Sequence, residues 1–229
     1  MSWLKIQIVV ILLLIPVISS GKEVDEIVGK VQGVYDGISD FRADFIQEST
    51  NKALKYTVTD AGVVYFKKPG KMRWDYIKKI DEKEMLMQKI VNDGENIYYY
   101  LPLENQVMIE NVKNIFPEKA PNNFLSGMGR LKEDFKVAEG YPKGFKKDSN
   151  LYYLELTPKE KLRGIYKLYI AVDKDKFIVK ESVSVDPYEN TTKIMFSNIE
   201  INKSIADNVF GFEMPKGVKI ITPQEGKNK

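Results

Sequence analysis

The hydrophobic pattern of the chain changes its period near residue 39. From residue 24 to residue 38, apolar side chains recur every three or four positions, which predicts one amphipathic helix over about residues 23–37. From residue 41 onward, apolar and polar side chains alternate, as they do in a strand with one buried face. The first predicted strand therefore buries Phe41, Ala43 and Phe45 and exposes the residues between them.

Short strands separated by turn residues follow along the rest of the chain. In the first half they are predicted at 56–59, 63–67, 72–77, 85–91, 97–101 and 106–110. In the second half they are predicted at 135–139, 151–157, 165–172, 177–185, 192–199 and 212–218. Between about 112 and 133 the alternation stops, and the pattern predicts short helical pieces, the clearest starting near Pro121. Because no repeat or linker separates the two sets, we expect one continuous antiparallel sheet.

Several predicted strands are apolar on both faces, notably 97–101, 151–156 and 165–172. An antiparallel sheet with one face in water alternates cleanly between apolar and polar residues. Apolar residues on both faces indicate that both faces are covered, or that one of them lines a cavity. One long helix and a few short ones could cap the concave side of a curled sheet without filling it.

The first 21 residues have the three-part pattern of a secretory signal. One early cation, Lys5, precedes an apolar run over 6–18, and small residues then lead to Gly21. The alternative is an uncleaved N-terminal anchor. The apolar run is shorter than the roughly 20 residues of a spanning helix, and Pro16 lies near its end, so cleavage is favoured. We expect a signal peptide over 1–21 and a single exported, soluble domain over 22–229.

Composition narrows the possible chemistry. The 35 Lys and Arg residues nearly balance the 32 Asp and Glu residues, which argues against nucleic acid as a partner. Because the chain has no cysteine, it can have neither disulfides nor a lipidated N-terminal cysteine. Because it has neither cysteine nor histidine, it lacks the usual zinc ligands and cannot use Ser-His-Asp or Cys-His catalysis. A hydrolase with paired carboxylates remains conceivable, but the sequence places no such pair. We therefore expect a protein that is not an enzyme, with no metal site and no cofactor.

Five segments in this order resemble the periplasmic outer-membrane lipoprotein carrier family (LolA), and the resemblance covers essentially the whole chain after residue 21. The first segment carries Phe41, Phe45 and Gln47, and the second carries Gly62, Phe66, Lys68, Pro69, Met72 and Trp74. The others are the hairpin that begins at Asn92-Asp93-Gly94, the segment 154–159, and the segment 210–220. Each motif is weak alone, whereas the ordered set is specific to this superfamily.

The resemblance implies a mainly β fold with helices (α+β). A single curled antiparallel sheet would form an unclosed β-barrel, with the N-terminal helix and short helices as a lid over an apolar cavity. It also implies a periplasmic carrier that takes acylated lipoproteins from an inner-membrane ABC transporter and delivers them to an outer-membrane receptor of similar fold. A monomer is expected. The missing lipidation cysteine disfavours the receptor itself.

The resemblance also suggests site residues. Lys68 stands where the family often has an arginine that holds the lid shut, so Lys68 is the candidate lid latch. Met72 stands where an aromatic residue is common. The residues expected to line a lipid-binding cavity are Phe45, Tyr65, Phe66, Met72, Trp74, Tyr76, Tyr98, Tyr100, Phe124, Leu125 and Met128. The alternative for Trp74 and Tyr76 is ordinary core packing, and for Phe124, Leu125 and Met128 it is helix-to-sheet packing.

The face of the second motif depends on its turn. If Pro69-Gly70 is a two-residue turn, Tyr65 shares a face with Met72 and Trp74, and Phe66 lies on the other face. A slip of one residue exchanges the two faces. Two other functions remain open at this point. One is a regulatory sensor of mislocalised lipoproteins, and the other is a carrier of a different hydrophobic ligand in the same cavity.

Overall fold

The computed structural model describes residues 20–115, 130–160 and 164–221. The first helix, α1, spans Ser20–Asp36, three residues earlier at its start than its hydrophobic pattern predicts. Its apolar stripe is buried, with Val31 and Tyr35 almost fully enclosed. Except for its last two residues, the predicted signal peptide lies outside the described residues, as does the helix predicted near Pro121.

Twelve strands form one sheet within the described residues. They are β1 (Asp40–Asn51), β2 (Tyr56–Lys67), β3 (Lys71–Ile80), β4 (Lys83–Asn92), β5 (Asn96–Leu101), β6 (Gln106–Asn111), β7 (Phe135–Glu139), β8 (Leu151–Pro158), β9 (Lys167–Asp173), β10 (Val179–Val185), β11 (Thr191–Ile201) and β12 (Lys219–Ile221). The short helices α2 (Val112–Ile115) and α3 (Leu131–Asp134) flank the undescribed segment 116–129.

The strands lie in the order β12-β6-β5-β4-β3-β2-β1-β11-β10-β9-β8-β7. β12 and β7 are the two edges, so the curled sheet is not closed into a barrel. The predicted architecture is confirmed in this respect. Neighbouring strands run antiparallel except β12, which pairs with β6 in parallel. The expectation of a purely antiparallel sheet is wrong at this edge.

The predicted strand at 212–218 is also wrong. Pro215 has no amide hydrogen to give to a ladder, and Gly217 adopts a φ of 72°, so this stretch cannot continue as a strand. After β11 the chain crosses one face of the sheet and reaches the β6 edge only at Lys219. We call residues 202–218 the strap.

The register of β2 and β3 fixes the faces of the second motif. Phe66 pairs with Met72 and Tyr65 with Arg73, so the turn has three residues, 68–70. Met72 and Trp74 therefore share their face with Phe66, and the face assignment based on a two-residue turn is wrong by one residue. The face that carries Phe66 packs against α1, and we call it the concave face. The opposite face, with Tyr65 and Arg73, is the convex face.

Both faces of the sheet are covered in part, which explains the strands that are apolar on both sides. α1 packs on the concave face of β1, β2 and β7–β11. On the convex face, Phe212 of the strap stacks on Tyr98 with ring centroids 4.9 Å apart. The loop 140–150 covers another convex region, where the ring of Tyr141 lies 4.5 Å from that of Tyr153.

Candidate hydrophobic binding site

A cluster of aromatic rings lies at the centre of the concave face. The ring of Phe45 on β1 meets Trp74 edge-on at 4.8 Å and Tyr76 at 5.0 Å. Trp74 lies 5.9 Å from Phe66 and 6.4 Å from Phe196. Tilted and edge-to-face contacts at these distances are favourable for aromatic pairs. The cluster therefore forms one continuous apolar surface that joins β1, β2, β3 and β11.

The concave face changes from closed to half-open along the sheet. Under α1 its side chains are buried, whereas on β3–β6 most of them are only half-buried, with Asn92 and Ile97 as buried exceptions. Strand pairing aligns Trp74, Ile90, Tyr99 and Met108 side by side across these four strands. We call these four residues the concave row. A half-buried apolar row of this kind can accept a hydrophobic ligand, because each methylene transferred from water gains about 0.8 kcal/mol.

Gly62 allows the backbone to approach closely beside the aromatic cluster. A Cβ atom placed on Gly62 would overlap the carbonyl oxygen of Asp75 and touch the ring of Phe45. The sequence therefore needs glycine at this position, since any side chain would push β2 away from β3. The close approach lets the Phe45 ring reach both Trp74 and Tyr76.

Tyr76 marks the polar limit of the cluster. Its hydroxyl group donates a hydrogen bond to Oε1 of Gln47 at 3.1 Å. Burial, with a smaller contribution from the charge of Asp60, raises the pKa of Tyr76 to about 12. Burial likewise raises the pKa of Tyr99 in the concave row. Both shifts follow from partial burial of the phenol groups, which disfavours the charged phenolate.

Lys68 holds the end of α1 from the turn between β2 and β3. Its Nζ donates hydrogen bonds to the carbonyl oxygens of Tyr35 at 2.8 Å and Asp36 at 2.9 Å. These carbonyls belong to the last turn of α1, where backbone acceptors have no partner within the helix and the helix dipole favours a cation. The other side of Tyr35 is also fixed, because its hydroxyl accepts a hydrogen bond from the amide of Val179.

The structure places five of the predicted cavity residues together on the concave face: Phe45, Phe66, Met72, Trp74 and Tyr76. Tyr65, Tyr98 and Tyr100 do not join them. Tyr65 pairs with Arg73 on the convex face, and Tyr98 and Tyr100 contact Phe212 of the strap there. The physical reason is the strand register, which turns each of these three residues away from α1. Phe124, Leu125 and Met128 lie outside the described residues.

Sequence reasoning missed several residues of the site, namely Phe41, Ile90, Tyr99, Met108 and Phe196. Tyr99 lies between Tyr98 and Tyr100, which the family resemblance suggests as cavity residues, and this run of three tyrosines has no polar residue to mark its outer face. Only the pairing of Ile90 with Tyr99 across the hairpin settles which ring is concave. Phe41 could have been predicted from the sequence, because the alternation of apolar and polar residues places it on the same face of the strand as Phe45.

Other kinds of site are not evident in the described part of the chain. Among residues 20–115, 130–160 and 164–221, no group of three or more Asp or Glu side chains could hold a metal ion. In the same residues, every buried side-chain nitrogen or oxygen has a hydrogen-bond partner. The helices described are all too short or too polar to cross a membrane.

The chain is similar in sequence to several bacterial proteins that share one name. The chain is 26% identical over 195 residues to the outer-membrane lipoprotein carrier protein of Nitrosospira multiformis, covering 85% of this chain and 88% of that protein. It is 27% identical over 181 residues to the protein of the same name from Nitrosomonas europaea, covering 79% of this chain and 82% of that protein.

Among solved structures, a conserved protein of Thermus thermophilus superposes with a TM-score of 0.52 at 12% identity, covering 87% of this chain and 99% of that one. At this identity the likeness shows a shared fold. The family model described as "Outer membrane lipoprotein carrier protein LolA" matches residues 36–213, which include β1 to β11. The chain belongs to the LolA family.

Proposed function

We propose that the protein carries lipoproteins and binds their acyl chains on the half-open concave face. The observation that carries this proposal is the concave row, a half-buried apolar surface across β3–β6 next to a closed aromatic core. A lipoprotein with three long acyl chains has tens of kcal/mol of apolar surface to remove from water, at about 0.8 kcal/mol per methylene. The names of the relatives support the same cargo.

A carrier must also release its cargo, and the architecture fits that requirement. The closed core under α1 keeps the sheet folded, and the half-open row leaves a surface that a ligand can occupy and leave. Lys68 holds the last turn of α1 through two hydrogen bonds to backbone carbonyl groups, one of them that of Tyr35, whose side chain is buried in the apolar stripe. We infer that this turn is a gate at the border of the site and that Lys68 is its latch.

The wider pathway is part of the same proposal. Residues 1–21 direct the chain to the periplasm and are removed, and residues 22–229 form a single carrier domain. An inner-membrane ABC transporter loads the carrier, and an outer-membrane receptor of similar fold accepts the cargo. The chemistry is transfer without catalysis, which accords with a site built from hydrocarbon and aromatic surface.

Trp74 provides a direct test of acyl-chain binding. The chain has two tryptophans, Trp3 and Trp74, so a chain that starts at residue 22 has its single tryptophan in the candidate site. A synthetic triacylated lipopeptide with brominated acyl chains should quench Trp74 fluorescence, because bromine quenches only at short range. An unacylated peptide of the same sequence should leave the fluorescence unchanged. Absence of quenching by the lipopeptide would overturn the proposed site.

A matched pair of variants separates the two faces of the sheet. Ile90 on the concave face and Val63 on the convex face are both half-buried aliphatic strand residues. Ile90→Lys should weaken lipopeptide binding at least tenfold, whereas Val63→Lys should leave the affinity nearly unchanged. Native mass spectrometry of protein isolated from the periplasm then identifies the cargo. Finding a free lipid and no acylated polypeptide would favour a carrier of another ligand.

A further inference from the structure

The turn between β2 and β3 sends three lysines to opposite sides of the sheet. Lys68 reaches toward the concave side and binds the last turn of α1. Lys67 and Lys71 pair with each other across the hairpin and point toward the convex side. There, both ammonium groups meet Asp207 of the strap, at 2.5 Å from Lys67 and 3.4 Å from Lys71. One turn therefore contacts two layers that the sheet separates.

The strap also contacts the segment that leaves α1. The side chain of Asn202 donates a hydrogen bond to the carbonyl oxygen of Gly37 at 3.2 Å and accepts one from the amide of Ser39 at 2.7 Å. The buried carboxylate of Asp40 accepts hydrogen bonds from the amides of Lys203 at 2.7 Å and Ser204 at 3.0 Å. The start of the strap and the end of α1 thus belong to one hydrogen-bonded junction.

Further contacts hold the strap along the convex face. Lys67 donates a hydrogen bond to the carbonyl oxygen of Ile205 at 2.6 Å, and Arg73 donates one to that of Val209 at 3.1 Å. Phe210 is buried, and Phe212 stacks on Tyr98. Lys67 is on β2 and Arg73 is on β3. The strap therefore contacts both strands of the hairpin whose turn carries Lys68.

We propose that the strap regulates the gate of the candidate site. The ion pairs of Asp207 with Lys67 and Lys71 fix the position of the turn. In this position Lys68 can donate its two hydrogen bonds to the last turn of α1. Release of α1 on the concave face then loosens the strap on the convex face, and the reverse holds by thermodynamic linkage. This inference rests on the proposed function only in treating the end of α1 as a gate. The mechanical coupling itself is a property of the empty protein.

Hydrogen exchange of the full chain, without added lipid, tests the coupling. Asp207→Asn should speed amide exchange roughly two- to fivefold in the strap at 205–212, as expected for loss of exposed ion pairs. The coupling predicts a similar increase at 33–38, the last turn of α1 and the residues after it. Exchange in 168–172 of β9 should not change, which would show that the protein has not been destabilised globally.

Glu213→Gln is the matched control. It removes one carboxylate from the same strap, and within the described residues Glu213 forms no ion pair with a lysine or arginine. It should alter exchange in neither segment. If Asp207→Asn accelerates only the strap, or accelerates neither segment, the regulatory proposal is wrong. Either result would leave the proposed function untouched, because that function is tested separately by the quenching of Trp74 fluorescence with the lipopeptide.

A double variant gives a second, independent measurement. Lys68→Leu releases the last turn of α1 directly, so adding Asp207→Asn should cause little further acceleration at 33–38. If the two contacts were independent, the acceleration at 33–38 in the double variant would equal the product of the accelerations in the two single variants. Multiplied effects in the double variant would show that the strap and Lys68 act separately, which contradicts the proposal.

Discussion

The ammonium group of Lys68 lies 2.8 Å from the carbonyl oxygen of Tyr35, although the two residues are 33 positions apart. The contact joins the turn of a β-hairpin to the last turn of α1. A helix ends with carbonyl groups that have no partner in the helix, and a positive charge there is favourable. The basic residues of this turn therefore hold two neighbouring elements, the end of α1 through Lys68 and the strap through Lys67 and Lys71.

Lys68→Leu should release the last turn of α1 while the sheet stays folded. The variant loses two hydrogen bonds from a charged donor, which together contribute about 1–3 kcal/mol. We expect the lipopeptide to dissociate faster from the variant and the circular dichroism spectrum of the sheet to be unchanged. Stopped-flow fluorescence of Trp74 measures the dissociation rate.

Lys78→Leu is the control for this change, because Lys78 is an exposed residue of β3 far along the same hairpin. It should leave the dissociation rate unchanged. Lys68→Arg should retain the wild-type rate or slow it, since guanidinium can donate to two carbonyls at once. Equal dissociation rates for Lys68→Leu and the wild type would show that Lys68 acts only as a turn residue.

The change of hydrophobic period near residue 39 was sufficient to predict α1 and β1, and turn residues located most of the other strands. The strand predicted at 212–218 does not form, and only residues 219–221 pair at the edge of the sheet. Phe210 is buried and Phe212 packs half-buried on Tyr98 of the convex face instead, with Pro215 and Gly217 preventing a ladder. Local alternation cannot distinguish a strand within the sheet from an extended segment that lies across it.

The candidate site was predicted in part from motif residues, although the two-residue turn assumed for the second motif placed Phe66 on the opposite face from Met72 and Trp74. Phe45, Phe66, Met72 and Trp74 lie in motifs with a recognisable order, and the structure brings them together. The three consecutive tyrosines of β5 offered no such guide, because the strap covers one face and the concave row lies on the other. When both faces of a strand are apolar, composition does not identify which face binds a ligand.

Gly62→Ala should destabilise the sheet at the aromatic cluster. The added methyl group would overlap the carbonyl oxygen of Asp75, so β2 and β3 must separate or distort. We expect the free energy of unfolding to fall by about 3 kcal/mol, near the upper end of the cost of overpacking. Denaturant titration followed by Trp74 fluorescence measures both the stability and the local packing.

Gly33→Ala provides the contrasting substitution. Gly33 lies inside α1, and a Cβ atom there would meet nothing within 4 Å beyond its chain neighbours and the backbone of its own helix. Alanine is favoured over glycine inside a helix by about 1 kcal/mol, so this variant should be more stable than the wild type. If Gly62→Ala were tolerated as well as Gly33→Ala, the close approach of β2 and β3 would not be a constraint on the site.

Tyr76 should make the stability of the protein depend on alkaline pH. Burial raises its pKa from the usual 10.0 to about 12, so the folded state favours the neutral phenol. The resulting stabilisation is complete below pH 10 and is lost as the pH rises toward 12. Tyr76→Phe should flatten the decline of the unfolding free energy across this window. An identical decline in both proteins would place Tyr76 in a hydrated environment.

Asp207 should make attachment of the strap sensitive to acid. Its hydrogen bond from Lys67, together with the charges of Lys67 and Lys71, lowers its pKa below the usual 3.8. The attachment is therefore complete above pH 3.8 and is lost as the pH falls through the lower value. A nuclear magnetic resonance titration should show the Asp207 carboxyl carbon and the ring protons of Phe212 changing together in that acidic range. In Asp207→Asn the Phe212 signals should no longer follow this titration. A carboxyl group that titrated at its usual pKa would show that the two lysines do not hold the strap in solution.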